Sequence, residues 1–384
     1  MATCLVLSRL LFSLLVIWGS AVQIHGVELG INYGQTANDL PSPTLAAVLL
    51  QSLNVHRVKL FDADLNVLIA FSNSDIELTI GLGNEDIQKM TVPTEAENWI
   101  QQNVQPHIPQ TKITCIAVGN EVFSSNDAQL MFNLLPAMKM IHNTLVNLGL
   151  DKQVMITTPH SFNILENSYP PSCGTFREDL AEYIKPLLRF LSQIKTPFFI
   201  NTYPFFAYKA NPTQISLDYV LFQPNKGMKD PNTNLLYDNM LYAQVDAVYS
   251  AMKAMGHTDI EVKNSETGWP SKGDPDEVGS TPENARLYHS NLLKRIQEKQ
   301  GTPARPSVPI EAYVSALFNE DLKTGPTSER NYGLFYPDCS PVYNIGLQDH
   351  FPTNGVVYSS ASSNKNALSV FCLLIFVMVS LILA

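Results

Sequence analysis

The sequence predicts an α/β protein with a single domain folded as a (β/α)8 TIM barrel. Strand-like runs rich in β-branched and aromatic residues recur along the chain and are nearly continuous in apolar character, as strands buried on both faces are. Stretches with helical periodicity separate most of these runs. Eight such units over about 320 residues is the count of a closed barrel. The eight runs begin at Val27, Asn54, Ile76, Ile113, Gln153, Pro197, Ile260 and Glu311.

A doubly wound open sheet is the alternative fold. That fold needs a glycine-rich phosphate loop after its first strand, and "NYGQTAND" is not such a loop. Individual helices carry start signals of their own. Ser42 and Pro43 predict the beginning of the first helix. Asp64 is interpreted as the N-cap of a helix that begins at Leu65, in preference to a metal-binding pair with Asp62.

The first 26 residues predict a secretory signal peptide. They contain one charge, Arg9, then a short apolar run, then small residues that offer cleavage after Ala21 or Gly26. A membrane-spanning anchor is the alternative, but the apolar run is short for that role. We therefore expect secretion, with residues 27–350 as the folded domain.

The C-terminal end predicts a lipid anchor. A spacer at 351–363 contains small residues between Ser359 and Ser363, and an apolar tail at 364–384 follows it with no charge after it. This is the layout of a glycosylphosphatidylinositol (GPI) signal, whose tail is exchanged for a lipid. The alternative is a retained transmembrane helix, which usually has a basic cytoplasmic flank. The expected location is the outer face of the plasma membrane.

Composition excludes some classes of partner and cofactor. The formal net charge of -10 argues against binding to nucleic acid. Once the two terminal segments are removed, only Cys115, Cys173 and Cys339 remain, so at most one disulfide can form within the chain. None of the three has the spacing of a zinc site. We expect a monomer that holds no metal and no cofactor.

Two glutamates stand where barrel enzymes place their catalytic groups. Glu121 ends the fourth strand run, in "VGNE", and Glu266 ends the seventh, in "NSETGW". Active sites of such barrels lie at the C-terminal ends of the strands, and a closed barrel aims both positions at one mouth. The ordinary alternative is that each is a solvated loop residue or a helix cap. Paired carboxylates across one cleft are what glycoside hydrolysis requires.

At these residues the sequence resembles a known family. "IAVGNEV" and "SETGWPSKG" are similar to the two catalytic signatures of plant glycoside hydrolase family 17, the β-1,3-glucanases and their β-1,3-1,4-glucanase relatives. The similarity extends from "GINYGQTANDLPSP" to "NYGLFYPDCSPVYNI". It implies retaining endo-hydrolysis of β-1,3-glucan, with Glu121 as the proton donor and base and Glu266 as the nucleophile. At the plasma membrane, the substrate would be a callose-type polysaccharide of the cell wall.

The resemblance also implies a set of substrate-binding residues. Asn120 would bond the 2-hydroxyl of the reacting sugar, and Lys323 would keep one carboxylate ionised. Flat side chains after the sixth and seventh strand runs, Trp269 among them, offer faces to sugar rings, although core packing is an equal alternative for Phe205 and Phe206. With Trp269, the expected binding residues are Tyr33, Asn120, Tyr203, Glu320, Lys323 and Glu329.

Two other functions stay open at this stage. One is hydrolysis of mixed-linkage β-1,3-1,4-glucan, because a single side chain in the groove could decide linkage. The other is a non-catalytic, anchored protein that binds wall glucan. The complete set of catalytic residues favours an enzyme over a binding protein. Lys263 and Asn264, inside the seventh run, depart from the plainly apolar strand expected there.

Overall fold

Eight parallel strands close into a barrel in the computed structural model, which describes residues 27–346. In order around the barrel, β1 pairs with β2 and so on through β5, while β1 also pairs with β8, β8 with β7 and β7 with β6. The strands are β1 Val27–Tyr33, β2 Val55–Leu60, β3 Glu77–Leu82, β4 Lys112–Val118, β5 Met155–Thr157 with Pro159–Ser161, β6 Phe198–Asn201, β7 Val262–Thr267 and β8 Ala312–Val314.

The two halves of β5 close the sheet. Met155–Thr157 pairs with β4, and Pro159–Ser161 pairs with β6, both in parallel register. An open doubly wound sheet would instead leave two unpaired edges. The single-domain (β/α)8 barrel is therefore confirmed, and all eight sequence runs correspond to its strands.

Helices follow the strands around the outside of the barrel. Ser42 caps the first helix by accepting from the Leu45 N–H, and Asp64 caps the second by accepting from the Val67 N–H. Both predicted starts are thus confirmed. The helices within the described range are α1 Pro43–Ser52, α2 Leu65–Ala70, α3 Pro93–Asn103, α4 Ala128–Asn147, α5 Ala181–Ile194, α6 Pro204–Ala210, α7 Leu217–Val220, α8 Met240–Ala254 and α9 Pro282–Gln297.

The loops contain three short antiparallel strand pairs within the described residues. They join Leu165–Asn167 to Thr175–Phe176, Met228–Lys229 to Leu236–Tyr237, and Gly301–Thr302 to Arg305–Pro309. The barrel strands themselves are buried on both faces, as β3 shows with every residue after Glu77 buried. Cys115 is buried in β4, as expected of an inward-facing strand residue, and Cys173 and Cys339 are also free thiols.

The polar residues of the seventh strand have partners inside the fold. Lys263 forms an ion pair with Glu311 at 2.8 Å, and Glu311 also contacts Arg57 at 2.5 Å. Asn264 is buried and donates to the hydroxyl of Thr202. A buried strand tolerates such groups only when they are paired, so β7 keeps its place in the barrel although its sequence is partly polar.

The predicted signal peptide, the spacer with its GPI attachment region and the apolar tail lie outside the described residues. Within residues 27–346, no helix is long and apolar enough to cross a membrane. The same range contains no cluster of three or more histidine, cysteine or acidic side chains arranged to hold a metal ion.

Candidate active site

A cavity of about 770 Å³ opens at the C-terminal mouth of the barrel. Both predicted catalytic glutamates, Glu121 and Glu266, line it. So do five of the predicted binding residues, namely Asn120, Tyr203, Glu320, Lys323 and Glu329. The closed sheet therefore brings together residues that are up to about two hundred positions apart in sequence, as the barrel prediction requires.

Glu121 follows β4 in a left-handed backbone conformation, with φ at 53°. Its N–H donates to the carbonyl oxygen of Pro159 at 2.9 Å, which ties it to β5. Its Oε1 accepts from Asn201 Nδ2 at 2.9 Å. Burial raises the pKa of Glu121 above its ordinary value, the Asn201 bond opposes this rise, and the nearby negative charge of Glu266 adds to it. The protonated form is therefore favoured.

Glu266 is the next-to-last residue of β7, and only 8% of it is exposed. Its two oxygens are bonded by three donors. Lys59 Nζ and Asn201 Nδ2 approach Oε1 at 3.0 Å and 3.1 Å, and the Tyr203 hydroxyl donates to Oε2 at 3.1 Å. A buried carboxylate with a cation and two neutral donors is stabilised in its charged form by all three.

Lys59 is the counter-charge of this site, and it is the next-to-last residue of β2. The side chain is buried, and its Nζ lies 4.0 Å from the centre of the Phe61 ring as well as against Glu266. Lys323 was predicted to keep a carboxylate of the pair ionised, and that prediction is corrected. Its nearest carboxylate is Glu320, at 3.7 Å.

One side-chain nitrogen bridges the two glutamates. Asn201 Nδ2 is 2.9 Å from Glu121 Oε1 and 3.1 Å from Glu266 Oε1. These two oxygens are therefore no farther apart than the sum of the two bonds, about 6 Å, which is less than the roughly 6.5–9.5 Å of inverting glycosidases. Asn201 reaches both because it is the register partner of Glu266 at the adjacent strand end.

Tyr203 fixes the other side of Glu266. Its hydroxyl lies 2.9 Å from Ser315 Oγ, and its ring meets the Tyr332 ring edge-to-face at 5.6 Å. Burial, and then the charge of Glu266, raise the pKa of Tyr203 well above its ordinary value. The phenol is therefore neutral at any pH below this raised pKa and can donate to the carboxylate.

Three charged residues form the wall that follows β8. Glu320 accepts from the Thr36 N–H at 2.8 Å and pairs loosely with Lys323. Glu329 also lines the cavity; burial raises its pKa, while the positive charge of Lys323 opposes that rise. The wall thus presents charged, hydrogen-bonding groups to the cavity.

Two predicted binding residues do not reach the cavity. Trp269 is fully buried; it packs against Phe205 and Tyr288 and donates its indole N–H to the Gly279 carbonyl. Tyr33 is 1% exposed, with its ring between those of Phe71 and Phe318. In both cases an aromatic ring beside a catalytic strand end belongs to the core that supports the site, and it presents no face to a sugar.

Other aromatic residues supply the exposed faces. Phe206 is 44% exposed and Tyr169 is 74% exposed, and both line the cavity. Phe205 and Tyr208 are buried. Of the two neighbouring phenylalanines, Phe205 therefore belongs to the core and Phe206 to the cleft. Partly exposed rings at a cleft rim are suited to stack on the apolar face of a pyranose.

Sequence reasoning missed Lys59, Asn201, Ser315 and Tyr169. Lys59 did have a detectable signal, because a lysine between Val58 and Leu60 near the end of a barrel strand is expected to be buried, and a buried lysine needs an acidic partner. Asn201, two residues before Tyr203, is the last residue of its strand and so faces the mouth. Ser315 and Tyr169 had no comparable signal, since strand ends and loop rims are rich in such residues.

The molecule is a closed (β/α)8 barrel with one glutamate at the end of its fourth strand and one at the end of its seventh, both bonded to Asn201. This arrangement defines it as a glycoside hydrolase. Comparison with known proteins names the group within that class. The model of glycosyl hydrolases family 17 matches residues 29–347, and the chain belongs to this family.

Similar proteins span nearly the same length. Glucan endo-1,3-beta-glucosidase 14 of Arabidopsis thaliana is 61% identical, covering 91% of this chain and 89% of that protein, and glucan endo-1,3-beta-glucosidase 11 of the same plant is 53% identical, covering 86% and 77%. Among solved structures, CJP38, a β-1,3-glucanase and allergen of Cryptomeria japonica pollen, superposes with a TM-score of 0.79 at 39% identity, covering 85% of this chain and 99% of that one.

Proposed function

We propose that this glycoside hydrolase cleaves internal β-1,3-glucosidic linkages of a glucan and retains the configuration of the anomeric carbon. The observation that carries the retaining mechanism is the Asn201 nitrogen shared by Glu121 and Glu266. It keeps the carboxyl groups close enough for one of them to attack the sugar directly. The β-1,3 linkage is supported by the names of the similar Arabidopsis enzymes.

The reaction uses the two glutamates in turn. Glu266 attacks the anomeric carbon while Glu121 gives its proton to the glycosidic oxygen, so one C–O bond forms as the other breaks. Glu121, now ionised, takes a proton from water, and the resulting oxygen nucleophile displaces Glu266. Two inversions at the same carbon amount to retention.

The environments of the two carboxyl groups suit these roles. Burial and the charge of Glu266 raise the pKa of Glu121, which favours its protonated form in the free enzyme. Once Glu266 is esterified to the sugar it no longer carries that charge, so Glu121 ionises more readily and can serve as the base. Lys59 and the Tyr203 hydroxyl stabilise the charge that Glu266 needs before attack.

The remaining cavity residues bind the chain of sugars. Asn120, beside Glu121, bonds the 2-hydroxyl of the reacting sugar, and Glu320, Lys323 and Glu329 bond hydroxyls along the wall. Phe206 and Tyr169 stack on rings toward the rim. Because the cavity is open at the barrel mouth, a glucan chain can extend beyond it in both directions. This suits cleavage at internal linkages.

We also propose that the enzyme is secreted and held by a GPI lipid at the outer face of the plasma membrane, where callose-type wall glucan is its substrate. The support is the sequence of the two terminal segments alone. Treatment of intact membranes with a phosphatidylinositol-specific phospholipase should release active protein. Mass spectrometry should place its C-terminus at one of residues 359–363; a mature chain that ends at Ala384 would contradict the anchor.

Product analysis on two glucans tests the linkage. Purified protein should release short oligosaccharides from a β-1,3-glucan early in the reaction, and it should act weakly on a mixed-linkage β-1,3-1,4-glucan. The opposite preference would make it a mixed-linkage hydrolase. Binding without cleavage of either glucan would make it a glucan-binding protein.

Azide rescue tests the roles of the two glutamates. Glu266→Ala with azide and an activated β-glucoside should give the α-glycosyl azide, because one displacement inverts the carbon. Glu121→Ala should give the β-azide, because azide intercepts the covalent intermediate. Both variants should lose glucan hydrolysis by at least about 10²-fold. Glu97→Ala, a surface change on α3, is the control; exchanged azide products would reverse the two roles.

A further inference from the structure

The side chain of Asn84, in the loop after β3, holds the backbone of Asn120, the residue before Glu121, by bonds to its N–H and to its carbonyl oxygen. Asn84 Oδ1 accepts from the Asn120 N–H at 2.8 Å, and Asn84 Nδ2 donates to the Asn120 carbonyl oxygen at 3.0 Å. A carboxamide offers both an acceptor and donors, so it can satisfy a backbone residue in both directions as a neighbouring strand does. It continues the pairing of β3 with β4, whose last bond runs from the Gly119 N–H to the Leu82 carbonyl at 2.8 Å.

The backbone here departs from a strand path. Gly119 has φ at +67° and Glu121 has φ at +53°, so two left-handed residues flank Asn120. A Cβ at position 119 would lie 2.8 Å from Asn84 Oδ1. The glycine therefore permits the close approach of the carboxamide as well as the turn of the chain. On its other side, Glu121 is tied to β5 through Pro159.

We propose that Asn84 is a positioning residue for proton transfer: it fixes the Asn120–Glu121 peptide so that the Glu121 carboxyl meets the glycosidic oxygen. Asn84 does not line the main cavity; it lines a smaller pocket that shares Phe61 and Asn120 with that cavity, and its route to Glu121 is the pair of bonds to the Asn120 backbone. The inference rests on the proposed function, in which Glu121 is the acid and base. Without the two bonds the peptide is free to relax, and a misplacement of about 1 Å can cost about 10²-fold in rate.

The leaving group separates a positioning role from a general loss of structure. The 2,4-dinitrophenolate of an activated glycoside leaves without being protonated, whereas a sugar leaving group must receive a proton. The value of kcat/KM reports formation of the glycosyl-enzyme for both substrates. Asn84→Ala should lower kcat/KM by about 10²-fold on a β-1,3-gluco-oligosaccharide and by less than about tenfold on the activated glycoside.

Three further variants complete the test. Asn84→Asp keeps the acceptor for the Asn120 N–H but loses the donor, so its leaving-group effect should lie between those of wild type and Asn84→Ala; it also provides an answer if the alanine variant does not fold. Gln88→Ala, an exposed change in the same loop, should match wild type on both substrates. Glu121→Ala sets the size of the effect when proton transfer is lost altogether.

The outcomes are distinguishable. Equal losses on the two substrates in both Asn84 variants, together with a leaving-group effect in Glu121→Ala, would overturn the positioning role and leave the proposed function intact. No leaving-group effect in Glu121→Ala would mean that Glu121 is not the acid, and the proposed function would fail. If both Asn84→Ala and Glu121→Ala lose more kcat/KM on the oligosaccharide than on the activated glycoside, the positioning role and the proposed function are both supported.

Discussion

The two glutamates of the site have the same side chain and opposite surroundings. Glu266 is bonded by Lys59, Asn201 and Tyr203, while Glu121 is partly buried and its carboxylate accepts one bond, from Asn201. A charged partner favours the ionised form of a carboxyl group, and burial without one favours the protonated form. The proposed roles, Glu266 as nucleophile and Glu121 as acid, thus follow from the neighbours that surround each carboxyl group.

Replacing Lys59 with methionine should separate charge from packing. The apolar body of the side chain remains, but the buried Glu266 carboxylate loses the cation 3.0 Å from its Oε1. Removing one partner of a buried ion pair leaves the other charge uncompensated, so kcat/KM on the glucan should fall and the free energy of unfolding should drop by about 3–5 kcal/mol. Lys89→Met, which removes an exposed surface ammonium, is the control and should change neither quantity. Unchanged kcat/KM and stability in Lys59→Met would mean that the ion pair does not support Glu266.

The corrected role of Trp269 gives a paired prediction. Trp269→Ala should lower the free energy of unfolding by about 3–5 kcal/mol, because it empties a fully buried site. Tyr169→Ala should leave that free energy within about 0.5 kcal/mol and raise KM for long glucans, because the side chain is exposed at the rim. Denaturant titration and initial rates measure both. A rise in KM with unchanged stability in Trp269→Ala would restore its predicted role in sugar binding.

At the scale of elements, the loops after β7 and β8 are held together by Glu277. Its buried carboxylate accepts from Lys209 Nζ at 2.8 Å, from the Ser328 hydroxyl and N–H at 2.6 Å and 2.9 Å, and from the Asp274 N–H at 3.0 Å. Ser328 is the neighbour of Glu329 in the cavity wall. The loop bonds therefore set where that wall stands.

The pKa of Glu277 predicts an acid-sensitive fold. Burial raises this pKa, but the bonds from Lys209 and Ser328 outweigh it and bring it to about 2, below the ordinary value of 4.5. A depressed folded-state pKa gives stability that is present above pH 4.5 and is lost as pH falls toward 2. Denaturant titrations at stepped pH should show this loss in wild type and a smaller pH slope in Glu277→Gln. An equal slope in both would assign the acid sensitivity to other carboxylates.

The same element scale shows what sequence could and could not predict. Periodicity located all eight strands, because strands covered on both faces must be apolar, and strand ends located both glutamates. Whether an aromatic ring points into the core or into the cleft was not predictable. Phe205 and Phe206 are neighbours on α6, yet the first is buried and the second is exposed. The partner of a buried charge was not predictable either, because Lys59 and Glu266 meet only when β2 and β7 close into one barrel.

For the whole molecule, closure of the barrel is what creates the site. Strands β4 and β7 are not neighbours in the sheet, yet their ends face one mouth, and Asn201 at the end of β6 spans the gap between the two glutamates. Long-range strand pairing thereby fixes the separation of the catalytic groups more firmly than a loop could. That separation is the observation on which the proposed retaining mechanism rests.

The anomeric form of the first product tests this mechanism most directly. A soluble β-1,3-gluco-oligosaccharide is hydrolysed in deuterated water at high enzyme concentration, and the anomeric proton signals of the new reducing end are followed before mutarotation equilibrates them. If the closely spaced Glu121 and Glu266 act by a retaining mechanism, the enzyme should release the β-anomer first, and the α-anomer signal should grow later. Initial release of the α-anomer would mean a single inverting displacement and would contradict the account.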